Sequence, residues 1–440
     1  MQVKKFLAFL IFVFVSTVVL SQEKVQTYYP QSDILMEEYY VVWKDTAELH
    51  GPYRKFSKSG NVLITGNYNQ DKRNGLFTNY YENGQVQRTT MYDNGLKQDT
   101  TKVFGPEGNI IQVAYFVNDT LAGDILLYHE NGQLKGKTGF KKGKPDGLVV
   151  DYYEDGTLKQ ETEYKLGKPN GTTKEYYPTG TLKLEAEYTN GLLNGYYKTF
   201  YPTGELEMEV LNERGKRSGY VKRYHKNGQL ASIGNYKDGL LQDDYLTYFE
   251  DGSLKSELNY LNGKLSGASI EYFADGSVAK EMKYSRDGLR GEINEYNEKG
   301  KVIAEKLLEN ELPAGTWKLY DDRGRLTVEE NYLNGKLHGE RLVYEKGKLI
   351  AKEKYKFGTR AGTWEKYYSN GDLEESATYK LGRLEGPFAR YYKKGRIAYE
   401  GRYLLNKRTG VWIYYDEKGN KVLEETYDKG QVISEKKFDN

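Results

Sequence analysis

The stretch that decides the fold is EYYPTGTLKLEAEYTNGLLNG, residues 175–195. Twenty-four residues earlier the chain reads DYYEDGTLKQETEYKLGKPNG, and twenty-four later TFYPTGELEMEVLNERGKRSG. Tyrosines and glycines hold their places while the residues between them drift. One glycine series runs from Gly60 to Gly419 in steps of 24, with a single step of 23 where YEKGKL has lost a residue. A second series, nine residues ahead of the first, runs from Gly51 to Gly410, with Asp99 and Asp243 in its two vacancies. Asp tolerates left-handed backbone angles, so the exchange points to a turn there. The chain therefore holds sixteen repeats.

Each repeat reads as two short strands. In TLKLEAEY, residues 181–188, Leu182, Leu184, Ala186 and Tyr188 point one way, and Lys183, Glu185 and Glu187 the other. Alternation of period two marks a strand with one buried and one wet face. Between strands stand ENG, EDG, ADG, SNG and PTG, tight-hairpin signals because such turns require positive φ. A second turn, as in NGLLNG, leads to the next hairpin. No segment has a helical period.

A lone hairpin is not stable in water. Stacking the next one pairs its open edge and extends the aromatic row. The expected fold is all-β: an elongated, single-layer, solenoid-like meander of stacked antiparallel hairpins. At about 4.8 Å per strand, sixteen repeats would span on the order of 150 Å. Residues 22–50 do not fit the repeat and read as an N-terminal cap, and residues 51–440 as the array.

Composition agrees. Only 38% of the 440 residues are hydrophobic, and mean hydropathy is -0.80, too polar for several thick cores. Yet 43 tyrosines are too many for a disordered chain. Lys and Arg number 65 against 63 Asp and Glu. Without Lys4 and Lys5 the balance is even, and no basic stripe marks a nucleic-acid partner. The absence of Cys excludes disulfides, thiolate catalysis and zinc–sulfur sites. The opening MQVKK followed by the apolar run Phe6–Leu20 reads as a signal peptide over residues 1–21. With Val19 and Ser21 at the small-residue positions, cleavage is expected near Ser21–Gln22, and the mature chain is expected in the periplasm, at the outer surface or outside the cell.

The pattern G-x-x-x-x-Y-Y-x-x-G-x-L, then Y-x-x-G-x-x-x-G, resembles the MORN repeat, most closely its bacterial variant. Gly147, Tyr152, Tyr153, Gly156, Leu158, Tyr164 and Gly167 carry it. Gly315-Thr316-Trp317, Gly362-Thr363-Trp364 and Gly410-Val411-Trp412 look like its G-x-W opening. Leu211 and Leu308 stand for the late Tyr, and residues 285–315 are the least regular, where a bend or weaker packing is expected. The resemblance implies a stacked-hairpin scaffold, dimerisation module or lipid-contacting module without catalysis in the repeats. Bacterial chains of this variant are often labelled antitoxins.

Catalytic constellations are not visible. His50 and His338 each precede a series glycine, and His129 and His225 take the second place of a tyrosine pair. Those last two are four repeats apart, roughly 40 Å, so no metal site or proton relay is expected. Carboxylate pairs such as Glu185/Glu187 and Glu374/Glu375 lie on a wet strand face, without the dry pocket that acid–base work requires. GKTGFKKGKPDG, residues 136–147, is a repeat turn rather than a phosphate loop. No enzyme activity, metal or cofactor is expected.

Tyrosine pairs do recur. Adjacent rings should lie on opposite faces of one strand, one in the core and one outward. Tyr81, Tyr153, Tyr177, Tyr368, Tyr392 and Tyr415 then form a ladder of part-exposed rings. The reading is an exported, non-catalytic scaffold that binds a protein partner or serves envelope assembly. The alternatives are an antitoxin- or immunity-like protein capping a toxin, and a surface module for glycans or lipid headgroups.

Overall fold

A computed structural model describes residues 21–43 and 46–438. The segment read as a signal peptide lies outside the described residues, apart from Ser21. Among the described residues every regular element is a strand, and no helix is long and apolar enough to cross a membrane. The chain falls into two units, Met1–Gly204 and Glu205–Asn440. Strands run from Gln22–Tyr28 to Leu192–Phe200 in the first, and from Leu206–Glu213 to Gln431–Lys437 in the second. Within each unit consecutive strands pair antiparallel, giving an open meander. The cap joins it: Gln22–Tyr28 pairs with Leu35–Trp43, which pairs with Ala47–Phe56 across the boundary read at Gly51.

Positions are counted below from the second-series glycine of each repeat. The turn at positions 7–10 is not the tightest hairpin type. In Tyr153–Gly156 the Gly156 N–H donates to the Tyr153 carbonyl (3.0 Å) and the Tyr153 N–H to the Thr157 carbonyl (2.8 Å). Only Gly156 takes positive φ (85°), so this is a longer turn closed by a left-handed glycine. Asp155 does other work: its carboxylate accepts the Thr157 N–H at 2.8 Å, and that bond lowers its pKa.

The turn at positions 20–21 is the two-residue kind, with both central residues left-handed, as in Asn190 (φ 53°) and Gly191 (φ 85°). The step of 23 has a simple cause. Lys346 (φ 50°) and Gly347 (φ 80°) form a two-residue turn where other repeats use the longer one.

The second-series glycine lies within a strand, at a bulge rather than a turn. Gly171 sits inside Lys168–Tyr176 where the register against Leu158–Lys165 shifts. Asp99 and Asp243 do adopt the expected left-handed angles, φ 63° and 59°. Irregularity in residues 285–315 is a trade. Strands Val278–Tyr284 and Arg290–Tyr296 pair without a bulge, and the Ser285–Arg290 turn is longer. Packing there is not weaker: Met282, Ile293, Ala304 and Ala314 are all buried.

One face carries the core, from positions 3, 16, 18 and 23. Fully buried apolar side chains number about one per repeat among the described residues. Of the row read from Leu182 to Tyr188, Ala186 is the one wholly buried. Aromatic rings interleave edge to face: Tyr53, Tyr68, Phe77 and Tyr92 follow at 5.4, 5.5 and 5.3 Å. Arg73 lies over Phe77 and Tyr92, and Arg408 over Trp412 at 4.3 Å and Tyr427 at 5.4 Å. The late-tyrosine position in the repeat from Gly195 is held by Asn212, not Leu211. Asn212 faces Arg217 as Tyr188 faces Leu193, and its buried amide nitrogen has no hydrogen-bond partner.

Several large rings at position 3 pack over a glycine at position 16 of the preceding repeat, where a side chain would not fit, whereas Trp317 lies beside Lys306. A Cβ on Gly66 would lie 2.5 Å from Phe77, and one on Gly401 2.3 Å from the Trp412 indole. Gly401→Ala is therefore expected to destabilise the second unit by roughly 1–3 kcal/mol, the usual cost of overpacking. Denaturant unfolding followed by tryptophan fluorescence checks this.

Candidate binding surfaces

Where position 7 is Tyr or His, it closes its repeat onto the next. Its ring reaches forward from the turn, and its polar tip donates to the backbone carbonyl of position 6 one repeat on. Tyr81 donates to Phe104 (2.8 Å), Tyr153 to Tyr176 (2.8 Å), and Tyr177 to Phe200 (2.9 Å). In the second unit Tyr368 donates to Tyr391 (2.7 Å) and Tyr392 to Tyr415 (2.9 Å). Histidine does the same, since a carbonyl can only accept: His129 Nε2 lies 3.1 Å from the Tyr152 oxygen, and His225 Nε2 3.0 Å from that of Tyr248. The cap repeats the device, with Tyr29 donating to Phe56 at 2.7 Å.

Five of the six tyrosines of the expected ladder are thus equivalent, half-buried, and placed just past a strand end rather than on its outer face. Tyr415 differs. It sits at position 6, so its carbonyl accepts the bond while its own hydroxyl donates to Glu400 at 3.0 Å. The pair Tyr414/Tyr415 lies one register earlier than Tyr391/Tyr392, a shift measurable from Gly410 in the sequence.

Position-6 tyrosines form another set, donating to a carboxylate 15 residues back: Tyr176 to Glu161 (3.0 Å) and Tyr296 to Glu281 (2.7 Å). Burial first, then the bond to Glu161, pushes Tyr176 up to about 12. Tyr320, beside Glu305, likewise rises to about 12.

Two surface features stand apart from this scaffolding. On the edge formed by the two-residue turns, Leu381 and Leu405 fill position 20 of successive repeats, and Phe357 fills the same place in the repeat before them, which is one residue short. Leu381, Leu405 and Phe357 are exposed by 83, 52 and 49% and sit at φ of 49–52°. Asn holds the same place at 94, 118, 190, 262, 310 and 334. Sequence reasoning passed over this row, although its distance from the glycine ruler was available.

On the opposite edge, two hollows share Tyr368 and Tyr392. One, of about 510 Å³, is walled also by Arg390, Tyr399, Tyr414 and Tyr415. The other, of about 600 Å³, is lined also by Lys393, Lys394, Arg396 and Glu417. Three of the expected ladder residues meet here, and the other three lie in the first unit. No group of three or more His, Cys, Asp or Glu among the described residues is arranged to hold a metal ion.

Two outcomes test the tyrosine roles. Tyr153→Phe keeps the ring and removes one bond, and is expected to cost about 0.5–1.5 kcal/mol in denaturant unfolding. In alkali the folded protein holds the Tyr176 and Tyr320 protons longer than the unfolded chain does. Their contribution is complete below the ordinary tyrosine pKa of 10.0 and is lost as pH rises towards about 12. Circular dichroism and tyrosinate absorbance, recorded together through that window, should show unfolding coincide with the late-titrating tyrosines.

A family model described as MORN repeat variant matches ten segments: 49–70, 73–94, 122–142, 145–166, 169–190, 193–211, 217–238, 244–262, 360–381 and 408–429. No curated protein matches the chain. Among solved structures, the chain is similar to the crystal structure of TcdB2-TccC3-TEV at 12% identity. That match covers 96% of this chain and 32% of the other, with a TM-score of 0.15. It is similar to the Photorhabdus luminescens Tc holotoxin pore carrying a TccC3 mutation at 11% identity, over 94% of this chain and 26% of that one, with a TM-score of 0.14. The chain spans a third or less of the length of these proteins, and overlaps so loose carry no argument about fold or function.

Proposed function

This chain belongs to the MORN-repeat family, a non-enzymatic repeat module, and on that premise we propose that it is an exported scaffold that binds a protein partner through its turn edge. The observation that carries the proposal is the row Phe357, Leu381 and Leu405. A left-handed backbone costs a branched or bulky side chain roughly 1–2 kcal/mol, and an exposed Leu gains nothing from burial. Asn would relieve the strain and hide no less surface. A run of three apolar residues, against the single exposed Leu166 at this place in the first unit, therefore favours a contact made outside the fold. Export is supported by the basic and apolar opening of the sequence, Met1–Leu20. Protein rather than small-molecule recognition suits a regularly spaced apolar row, since repetition multiplies weak contacts.

The combined variant Phe357→Asn, Leu381→Asn and Leu405→Asn separates folding from binding. Its thermal midpoint is expected to equal or exceed that of the parent, because Asn accepts the turn angles. Capture of a stoichiometric protein from the native envelope fraction by the immobilised chain 22–440 is expected to fall about tenfold or more, the effect of losing central apolar anchors. Undiminished capture by the variant would remove the turn row as the interface.

A further inference from the structure

We propose that the two joined hollows at Tyr368 and Tyr392 form a binding site for an acidic saccharide, a chain of sugar rings bearing carboxylates. This goes beyond the protein-scaffold reading and rests on different residues, on the opposite edge. Each hollow, about 510 and 600 Å³, falls within the roughly 300–1,000 Å³ of small-ligand sites. Their shared wall is aromatic and already fixed. The Tyr368 and Tyr392 hydroxyls are tied to the carbonyls of Tyr391 and Tyr415, so the rings lose little entropy when a ligand packs on them. Tyrosine offers an apolar ring face to sugar C–H groups and a polar rim to sugar hydroxyls.

The second hollow supplies the charge. Lys393 and Lys394 are exposed, and neither ammonium has an ion-pair partner among the described residues. Some lysines on the sheet are neutralised across strands, as in Lys306–Glu295 at 2.7 Å and Lys318–Glu305 at 3.9 Å, whereas this pair is not. Arg396 donates to the Glu417 carbonyl at 2.7 Å, which leaves that guanidinium's charge uncompensated by the bond itself. Lys394 also departs from the other turns. It takes φ 78° at position 9, with its N–H donating to the Asp372 carboxylate at 2.7 Å, and that pins the lysine pair beside the tyrosines. Aromatic walls with a local excess of cations, Lys393, Lys394 and Arg396 against Asp372 and Glu417, match sugar rings carrying spaced carboxylates. A nucleic-acid strand would call for cations along a continuous path, whereas here they are confined to one turn.

The test is calorimetric titration of the full chain with oligogalacturonate, neutral dextran oligosaccharide and oligothymidylate as probes. Oligogalacturonate is expected to bind and neutral dextran not. The double variant Lys393→Glu, Lys394→Glu lies on an exposed turn and should keep the parent's thermal midpoint while losing about tenfold or more in affinity, as when a charge-assisted hydrogen bond is removed. Tyr392→Phe, which keeps the ring, should retain binding. Absence of oligogalacturonate binding, equal binding by the double lysine variant, or equally tight oligothymidylate binding would each overturn the proposal. Tyr392→Leu, which removes the aromatic face, should weaken binding, and equal binding by it would overturn the stacking role of that ring.

Discussion

A β-hairpin leaves two backbone edges unpaired and one apolar face half covered, and everything in this chain follows from how the next hairpin closes them. Strand pairing closes the edges. The position-7 side chain closes the turn, by donating to a carbonyl one repeat ahead. On the other edge the backbone does the same in reverse: the Gly191 N–H donates to Pro169 and the Gly382 N–H to Arg360, each one repeat behind. Repeats with the clasp are thus held at both ends by their neighbours. With so little fully buried apolar surface, these bonds and the edge-to-face rings carry a share of stability that a thick core would supply elsewhere.

The position-7 clasp explains why residues that look unrelated exchange there. Tyr, His and Asn each place a donor at a comparable reach: Asn297 sends its amide to the Asp322 carbonyl at 3.1 Å. Asp321 and Asp416 take another solution and cap their own turns by accepting N–H groups two to four residues on. The place of His129 and His225 in the repeat follows from the same geometry. They are polar-tipped rings of the right length, and their hydrogen bonds are spent on backbone.

The period, the strand alternation and the two turns per repeat were legible because glycine and tyrosine recur at fixed spacing, and spacing is what a repeat fold constrains. What escaped was decided by one-residue differences that spacing alone does not weigh. Gly171 looked like a turn residue because positive φ is common to turns and bulges. Asn-Gly and Asp-Gly pairs suggested the tightest turn, yet the acidic or amide side chain accepts an N–H and leaves only the glycine left-handed. Tyr415 was grouped with Tyr392 by the doublet it ends, although counting from Gly410 places it with Tyr391. Leu211 hid Asn212 in the same way. The hollows at Tyr368 and Tyr392 were half visible: the rings were singled out, but their closeness to Lys393 and Lys394 depends on how the turn folds back.

A repeat fold also separates the cost of folding from the freedom to bind. Positions 3, 16 and 18 are coupled, since Trp412 can exist only where Gly401 leaves room, so a change at one forces a change at another. Position 20 has no such partner. It projects from the sheet edge and touches no core, although Phe357 lies against the His338 ring at 4.6 Å. A leucine there is tolerated at the expense of local strain, and the rest of the sheet does not register it. The same holds for the lysines at 393 and 394, which extend from a turn whose hydrogen bonds are made by main chain and Asp372. Binding chemistry can therefore gather along both edges of such a sheet while its face is held by packing, and the two edges can serve different ligands because neither contributes to the core the other needs.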